Sequence, residues 1–279
     1  ATPVFVDVDA DSFNIDVADL EQRIGAVLAE GRLRPRAVIA VDLYGLPADY
    51  QGLKRIAASH DMFLLADAAQ SFGGAIDNVR VGALAPATAV SFFPAKPLGC
   101  YGDGGAVLTD DEELAERLRS IRAHGKGGAK YEIVRLGLNA RLDTLQAAIV
   151  LAKLEVFADE LAARESLARH YDRRLAGVAE IPPRPAGGSS AWAQYTLQLE
   201  HRDAVAASLK ADGIPSAIYY PLPMHLQPAY REYGAGEGSL PVAEALCHKV
   251  LSLPMHPYLP PSTAEHICDR LTAAIKAAR

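Results

Sequence analysis

Phe63-Leu64-Leu65-Ala66-Asp67-Ala68-Ala69-Gln70-Ser71 is the stretch on which the fold turns. Four apolar residues in a row, with no polar alternation, read as a strand buried on both faces, and such strands belong to parallel sheets covered by helices. The polar run 67–71 follows at once, at the carboxyl end of the strand, where open α/β sheets bind their ligands. Upstream, Ala37-Val38-Ile39-Ala40-Val41 has the same texture and runs into a loop, Asp42-Leu43-Tyr44-Gly45. Downstream, residues 89–93 and 105–109 are two more strands. Residues 16–28 and 49–60 carry helical spacing, so the first half alternates strand and helix in the βαβ manner. Residues 4–8 read as one further strand.

Beyond residue 142 the texture changes. To about residue 175 the chain is rich in Ala, Leu, Glu and Arg and free of Gly and Pro, as in one long helix or two abutting ones. Residues 181–190 form a loop of helix breakers. After it come a strand at 191–199, a helix at 203–211, a strand at 216–220, and amphipathic helices at 241–250 and 262–278. The expected architecture is α/β, a mostly parallel sheet with helices on both faces plus a smaller C-terminal α/β domain. The division falls at 1–150 for the large domain and 151–279 for the linking helix and small domain.

Composition narrows the function. A net charge of -6 over 279 residues argues against nucleic acid as a partner, which calls for a basic patch. No apolar stretch approaches the ~20 residues that span a bilayer, and no basic segment precedes an apolar one as in a signal peptide. Cys100, Cys247 and Cys268 have no metal-ligand spacing, so no metal is expected and the thiols read as the reduced cysteines of a cytoplasmic protein. The chain opens inside an apolar run with no Met before it, from which sequence upstream is expected.

Three polar clusters carry the chemistry. Asp67, taken alone, is a turn or cap aspartate. Lys96, in Ser91-Phe92-Phe93-Pro94-Ala95-Lys96-Pro97-Leu98-Gly99, would alone be a solvated charge, but it follows two Phe residues and precedes Gly102, Gly104 and Gly105. Such glycines let backbone approach a ligand or merely make turns. Gly137-Leu138-Asn139-Ala140-Arg141-Leu142-Asp143 by itself is a helix start. Together the clusters fit pyridoxal phosphate (PLP). That cofactor needs a lysine for a Schiff base and an acid to keep its ring nitrogen protonated. It also needs donors for its ring oxygen and phosphate.

These strings, with Gly102-Asp103-Gly104-Gly105-Ala106, Ile121-Arg122-Ala123-His124-Gly125, Gln146-Ala147-Ala148 and Tyr220-Pro221-Leu222-Pro223-Met224-His225-Leu226-Gln227, resemble the DegT/StrS-type nucleotide-sugar aminotransferases of PLP fold type I, in order and over essentially the whole chain. The resemblance implies that Lys96 is the Schiff-base lysine and Asp67 the ring-nitrogen partner. It implies Gln70 on the ring hydroxyl, Ser91 on the phosphate, and Asn139 reaching the phosphate from a second subunit of a homodimer. Arg141, His225 and Tyr220 are the implied substrate contacts. The implied reaction passes an amino group from L-glutamate, through the PLP and PMP forms, to a keto-sugar nucleotide of the kind used in polysaccharide biosynthesis. Related dehydratases carry histidine at the lysine position, so Lys96 favours transamination.

Pro97 departs from the asparagine of many members, and the string 91–103 resembles the branch acting on UDP-3-keto sugars, uronates included. A Gly-Thr phosphate-binding segment and an aromatic residue that members carry upstream have no counterpart here. A chain of these residues alone is therefore expected to hold the cofactor weakly. Two alternatives stay open on sequence: a catalytically silent PLP-fold sensor or assembly protein, and another fold-type I activity such as a sugar dehydratase.

Overall fold

The computed structural model describes residues 1–185 and 187–279. Its elements in chain order begin with helix α1 (Val17–Glu30), strand β1 (Ala37–Val41), helix α2 (Tyr50–Ser59) and strand β2 (Phe63–Asp67). Short strands β3 (Ala75–Ile76) and β4 (Val79–Arg80) precede β5 (Ala87–Ser91), β6 (Gly105–Leu108) and helices α3 (Glu112–Ile121), α4 (Thr144–Leu154) and α5 (Phe157–Leu175). Then follow β7 (Gly188–Ser189), β8 (Tyr195–Gln198), α6 (Arg202–Ala211), α7 (Pro241–Lys249), β9 (Val250–Leu253) and α8 (Pro261–Ala278).

The main sheet runs β1-β2-β5-β6, with β1, β2 and β5 parallel and β6 antiparallel at the edge. Val38, Ala40, Leu64, Ala66 and Val90 point from it into one apolar cluster with Leu20 and Ile24 of α1 and Leu53 and Ile56 of α2. The other face presents Ile39, 60% exposed, with Val41, Phe63 and Val107 also exposed. A second cluster joins Leu167, Tyr171 and Leu175 of α5 to β8, β9, α6 and α8. Helix α5 therefore serves both clusters, with Phe157 in the first and its later turns in the second. Its buried Arg164 donates to the carbonyls of Trp192 (3.0 Å) and Met255 (3.2 Å), tying the helix to two loops. Among the described residues no helix is long and apolar enough to cross a membrane.

Helix starts follow capping chemistry. Asp16, Asp49, Asp111 and Asp143 each accept backbone N–H groups at the first turns of α1, α2, α3 and α4, as short acidic side chains at an N-cap do. The expected long helix over 142–175 is two, α4 and α5, parted at Glu155 and Val156.

Three local expectations change. Residues 4–8 form no strand beyond a single bridge, Val8 to Ile15, because Asp7 is drawn elsewhere. Its buried carboxylate accepts the N–H groups of Val242 (3.0 Å) and Ala243 (2.9 Å) at the start of α7. That helix has no capping side chain of its own, its preceding residue being Leu240. Residues 216–220 likewise pair only through Ala217 and Ser252, and β8 finds its partner in β9 instead. The breaker loop over 181–190 is interrupted by β7, which pairs with β3; Ala186 within it lies outside the described residues.

Candidate active site

Register places the first two site residues. Asp67 on β2 lies opposite Ala89 on β5, and Ser91 is two residues further along β5. Alternation therefore puts both side chains on one face of adjacent strands, near their carboxyl ends. Asp67 Oδ1 accepts the Ala69 N–H at 3.1 Å, a turn that leaves the second carboxylate oxygen open. Ser91 Oγ accepts the Phe93 N–H at 3.2 Å, keeping its own proton free to donate.

Lys96 hangs on the loop that follows β5. The Phe92 carbonyl accepts the Cys100 N–H (2.8 Å) and lies 2.9 Å from Cys100 Sγ, and the Lys96 N–H donates to the Phe93 carbonyl at 2.9 Å. Lys153 of α4 donates to the Gly99 carbonyl at 2.6 Å. Gly99 is required here, since a Cβ would lie 2.7 Å from the carbonyl oxygens of both Phe93 and Pro94. So fixed, the Lys96 amine is half-buried, and burial pulls its pKa down while the nearby Asp67 carboxylate pulls it back up. The lysine amine and the aspartate carboxylate thus lie close enough to act on each other electrostatically.

Gln70 closes the floor. It is buried, and its Oε1 accepts the Tyr44 N–H at 2.6 Å. With the oxygen so engaged, the Nε2 donor is what remains for a ligand. Tyr44 itself follows β1, and its hydroxyl donates to the Tyr219 carbonyl. Tyr220, 51% exposed, stands beside this contact and helps raise the Tyr44 pKa, after burial. Asp42, also after β1, is fully buried and accepts from Ala48 N–H (2.9 Å), Tyr50 OH (2.8 Å) and Ser71 OH (2.6 Å). Burial lifts its pKa to about 6 despite these donors. Neither Asp42 nor Tyr44 stands among the sequence candidates. The signal was available, for the loop 42–45 leaves β1 at the same end of the sheet as Asp67 leaves β2.

The remaining candidates lie apart. Asn139 and Arg141 are exposed on a ribbon that folds residues 121–127 against 132–140, closed by Leu138 N–H to Ile121 O at 2.7 Å and Ala140 N–H to Arg122 O at 3.0 Å. Asp143, beyond it, caps α4. Among the described residues, no side-chain hydrogen bond joins the ribbon to Asp67, Gln70, Ser91 or Lys96. His225 is 1% exposed; its Nε2 pairs with Glu244 at 2.9 Å and its Nδ1 has no partner. It is a buried member of the strap 216–226 rather than an exposed one.

The set fits pyridoxal phosphate. There is an amine of reduced basicity, an opposing carboxylate with a free oxygen, an unspent amide donor and an unspent hydroxyl. The sequence model of the DegT/DnrJ/EryC1/StrS aminotransferase family matches residues 1–272. The chain belongs to that family. It is 44% identical over 273 residues to a UDP-2-acetamido-2-deoxy-3-oxo-D-glucuronate aminotransferase of Pseudomonas aeruginosa, covering 98% of this chain and 73% of that protein. A DegT/DnrJ/EryC1/StrS aminotransferase from Brucella abortus superposes with a TM-score of 0.95 at 52% identity, over 98% of this chain and 73% of that one. The DesV enzyme of S. venezuelae, solved with a ketimine intermediate, gives 0.92 at 38% identity, over 100% and 73%. In this aminotransferase family the cofactor is pyridoxal phosphate.

Proposed function

We propose that the protein transfers an amino group from L-glutamate to a keto-sugar carried on a nucleotide, with UDP-3-keto sugars, uronates among them, as the substrate class. The observation that supports this reading is the Asp67 carboxylate near enough to act on the Lys96 amine, with Ser91 on the same sheet face as Asp67 and the Gln70 amide donor unspent. The name of the P. aeruginosa relative supports the 3-keto uronate class.

Pyridoxal phosphate, when bound, supplies a conjugated electron sink. Lys96 would anchor the cofactor, and its amine, once free, would hold and pass the proton at the reacting substrate carbon, a task suited to an amine of lowered pKa. Asp67 would hold a proton on the ring nitrogen. Gln70 Nε2 would donate to the ring oxygen, and Ser91 to the phosphate. Tyr220, half-exposed on its strap, contacts the sugar. His225, buried within that strap and paired with Glu244, offers only Nδ1 to a ligand.

Asn139 and Arg141 act across a homodimer. The ribbon that bears them exposes Leu136 (97%), Tyr131, Ile133, Val134 and Leu138, an apolar surface of the kind that marks an interface. The two units 1–150 and 151–279 divide the work between cofactor and substrate.

The test is an absorbance titration with pyridoxal phosphate, then glutamate, then a UDP-3-keto sugar with mass analysis of the product. Bleaching by glutamate and a product carrying a new amine are expected. No bleaching, or a deoxygenated sugar without nitrogen, overturns the reading. Mixing Lys96→Ala with Asn139→Ala protein tests the shared site, since hybrid dimers should regain one intact site. No regain from a stable mixed dimer removes Asn139 from the partner's site.

A further inference from the structure

The polar groups of Tyr44 reach three separate segments of the chain. Its N–H donates to Gln70 Oε1 (2.6 Å), its carbonyl accepts from Gln194 N–H (3.2 Å), and its hydroxyl donates to the carbonyl of Tyr219. Gln70 belongs to the loop after β2, Gln194 to the approach to β8, and Tyr219 to the strap that carries Tyr220. The ring is buried, edge-on to Phe13 at 5.2 Å, in a small cluster with Leu246 and Val250.

The backbone shows that this convergence is imposed. Tyr44 has φ 60 and ψ 6, the left-handed region that a bulky aromatic residue rarely adopts. Such a conformation persists only where the surroundings over-determine it, and it gathers at functional sites. Here Leu43 N–H is clamped by Asn14 Oδ1 at 2.8 Å. Gly45 is packed so closely that a Cβ would lie 2.8 Å from Ala193 N. With its neighbours held on both sides, Tyr44 has one way to face Gln70 with its N–H and Tyr219 with its hydroxyl.

We propose that Tyr44 is a positioning residue that couples the two halves of the site. Through its N–H it orients the Gln70 amide toward the cofactor, and through its hydroxyl it sets the strap that presents Tyr220 to the sugar. The two links are chemically separable, since one is backbone and the other a single oxygen atom. The sugar half of this inference rests on the proposed function above.

Tyr44→Phe removes the hydroxyl and keeps the N–H to Gln70. In the full-length protein with pyridoxal phosphate, we expect the amides of residues 217–220 and 222 to exchange hydrogen faster while those of 67–71 are unchanged. With UDP-2-acetamido-2-deoxy-3-oxo-D-glucuronate as probe, KM should rise roughly tenfold, the scale of one buried hydrogen bond lost. Cofactor affinity and the glutamate half-reaction should stay within about twofold, because both depend on the link that remains. A uniform rise in exchange, an unchanged KM with a loosened strap, or an equal loss in both half-reactions overturns the proposal. If the wild-type protein bleaches with glutamate but aminates no keto-sugar probe, the substrate reading fails instead. The coupling is then decided by the exchange pattern alone, and identical exchange in the two proteins refutes it.

Discussion

Asp42 and Asp67 leave adjacent parallel strands at the same end of one sheet, yet they are put to opposite uses. Asp42 is fully buried and both its oxygens are engaged, by Ala48, Tyr50 and Ser71. Asp67 is only partly buried, gives one oxygen to the Ala69 N–H, and faces the Lys96 amine. The difference lies in what remains unspent. A carboxylate whose lone pairs are all satisfied by the protein fixes loops, whereas one left with an open oxygen beside a cation can meet a ligand. Position in the fold selects both residues as candidates, and only the hydrogen-bond count separates them.

That contrast breaks most visibly at its reactive end. Lys96→Ala should abolish turnover, since anchor and proton carrier leave together; residual activity at wild-type level in a steady-state assay refutes the assignment. Asp67→Ala is next. It should cut the rate by roughly 10²- to 10³-fold, the scale of one electrostatic contact in an active site, with cofactor still visible by absorbance and the thermal midpoint little changed. If Asp67→Ala unfolds the protein instead, Asp67 is structural and the contrast collapses.

The structural end is read by stability. Asp42→Ala strands three buried donors and should cost about 3 kcal/mol in urea unfolding. The wild-type group also has a pH signature. Its pKa of about 6 lies above the ordinary 3.8, so the native state keeps this proton where the unfolded chain has released it. The stability it contributes is complete below pH 4 and is lost as pH rises through 6, about 3 kcal/mol in all. The wild type minus Asp42→Ala difference in urea midpoint should therefore shrink between pH 4 and pH 7, and a difference flat with pH contradicts the burial argument.

The smallest expected effect belongs to Ser71→Ala. It deletes the 2.6 Å donor to Asp42, should cost about 1–2 kcal/mol near neutral pH, and should push the Asp42 transition above pH 6. A transition that moves down instead would show that the serine is not stabilising the charged form.

How much of this was legible in the sequence depends on how each residue is held. Ala37–Val41 and Phe63–Asp67 are strands just where continuous apolar runs end in polar loops, because a strand buried in the middle of a parallel sheet has no other pattern available. The run at 4–8 looks alike and is not a strand, since hydropathy cannot say that Asp7 is claimed by a helix more than 200 residues away. Val250 reads as the last residue of a helix over 241–250 and residues 251–253 carry no assignment, yet Val250–Leu253 pair with β8; Val250-Leu251-Ser252-Leu253 is too short for its period to decide. Helix α3 buries no residue fully and is easily passed over between strand and ribbon. Lys96, Asp67, Gln70 and Ser91 could be gathered from strand ends and motif order. Asn139 and Arg141 could be singled out but not placed, because their proposed target lies on another copy of the chain. The loop that holds Tyr44 was legible as a strand end, but its role was not, since two of its three polar contacts are made by backbone atoms, which carry no residue signature.

The Asp7 contact with α7 bears on the order in which the molecule is completed. Residues 7 and 242 belong to opposite ends of the sequence, and the N-terminus of α7 is closed only when they meet. Contacts of such long sequence separation carry a large closure entropy and form late. Asp7 is synthesised 235 residues ahead of Val242, so its carboxylate has no α7 to cap until that helix has been made. The strap that carries Tyr220 and the helix that Asp7 caps emerge in the same final stretch. The segments that bear Asp67, Gln70, Ser91 and Lys96 are thus made well before the strap has a fixed shape.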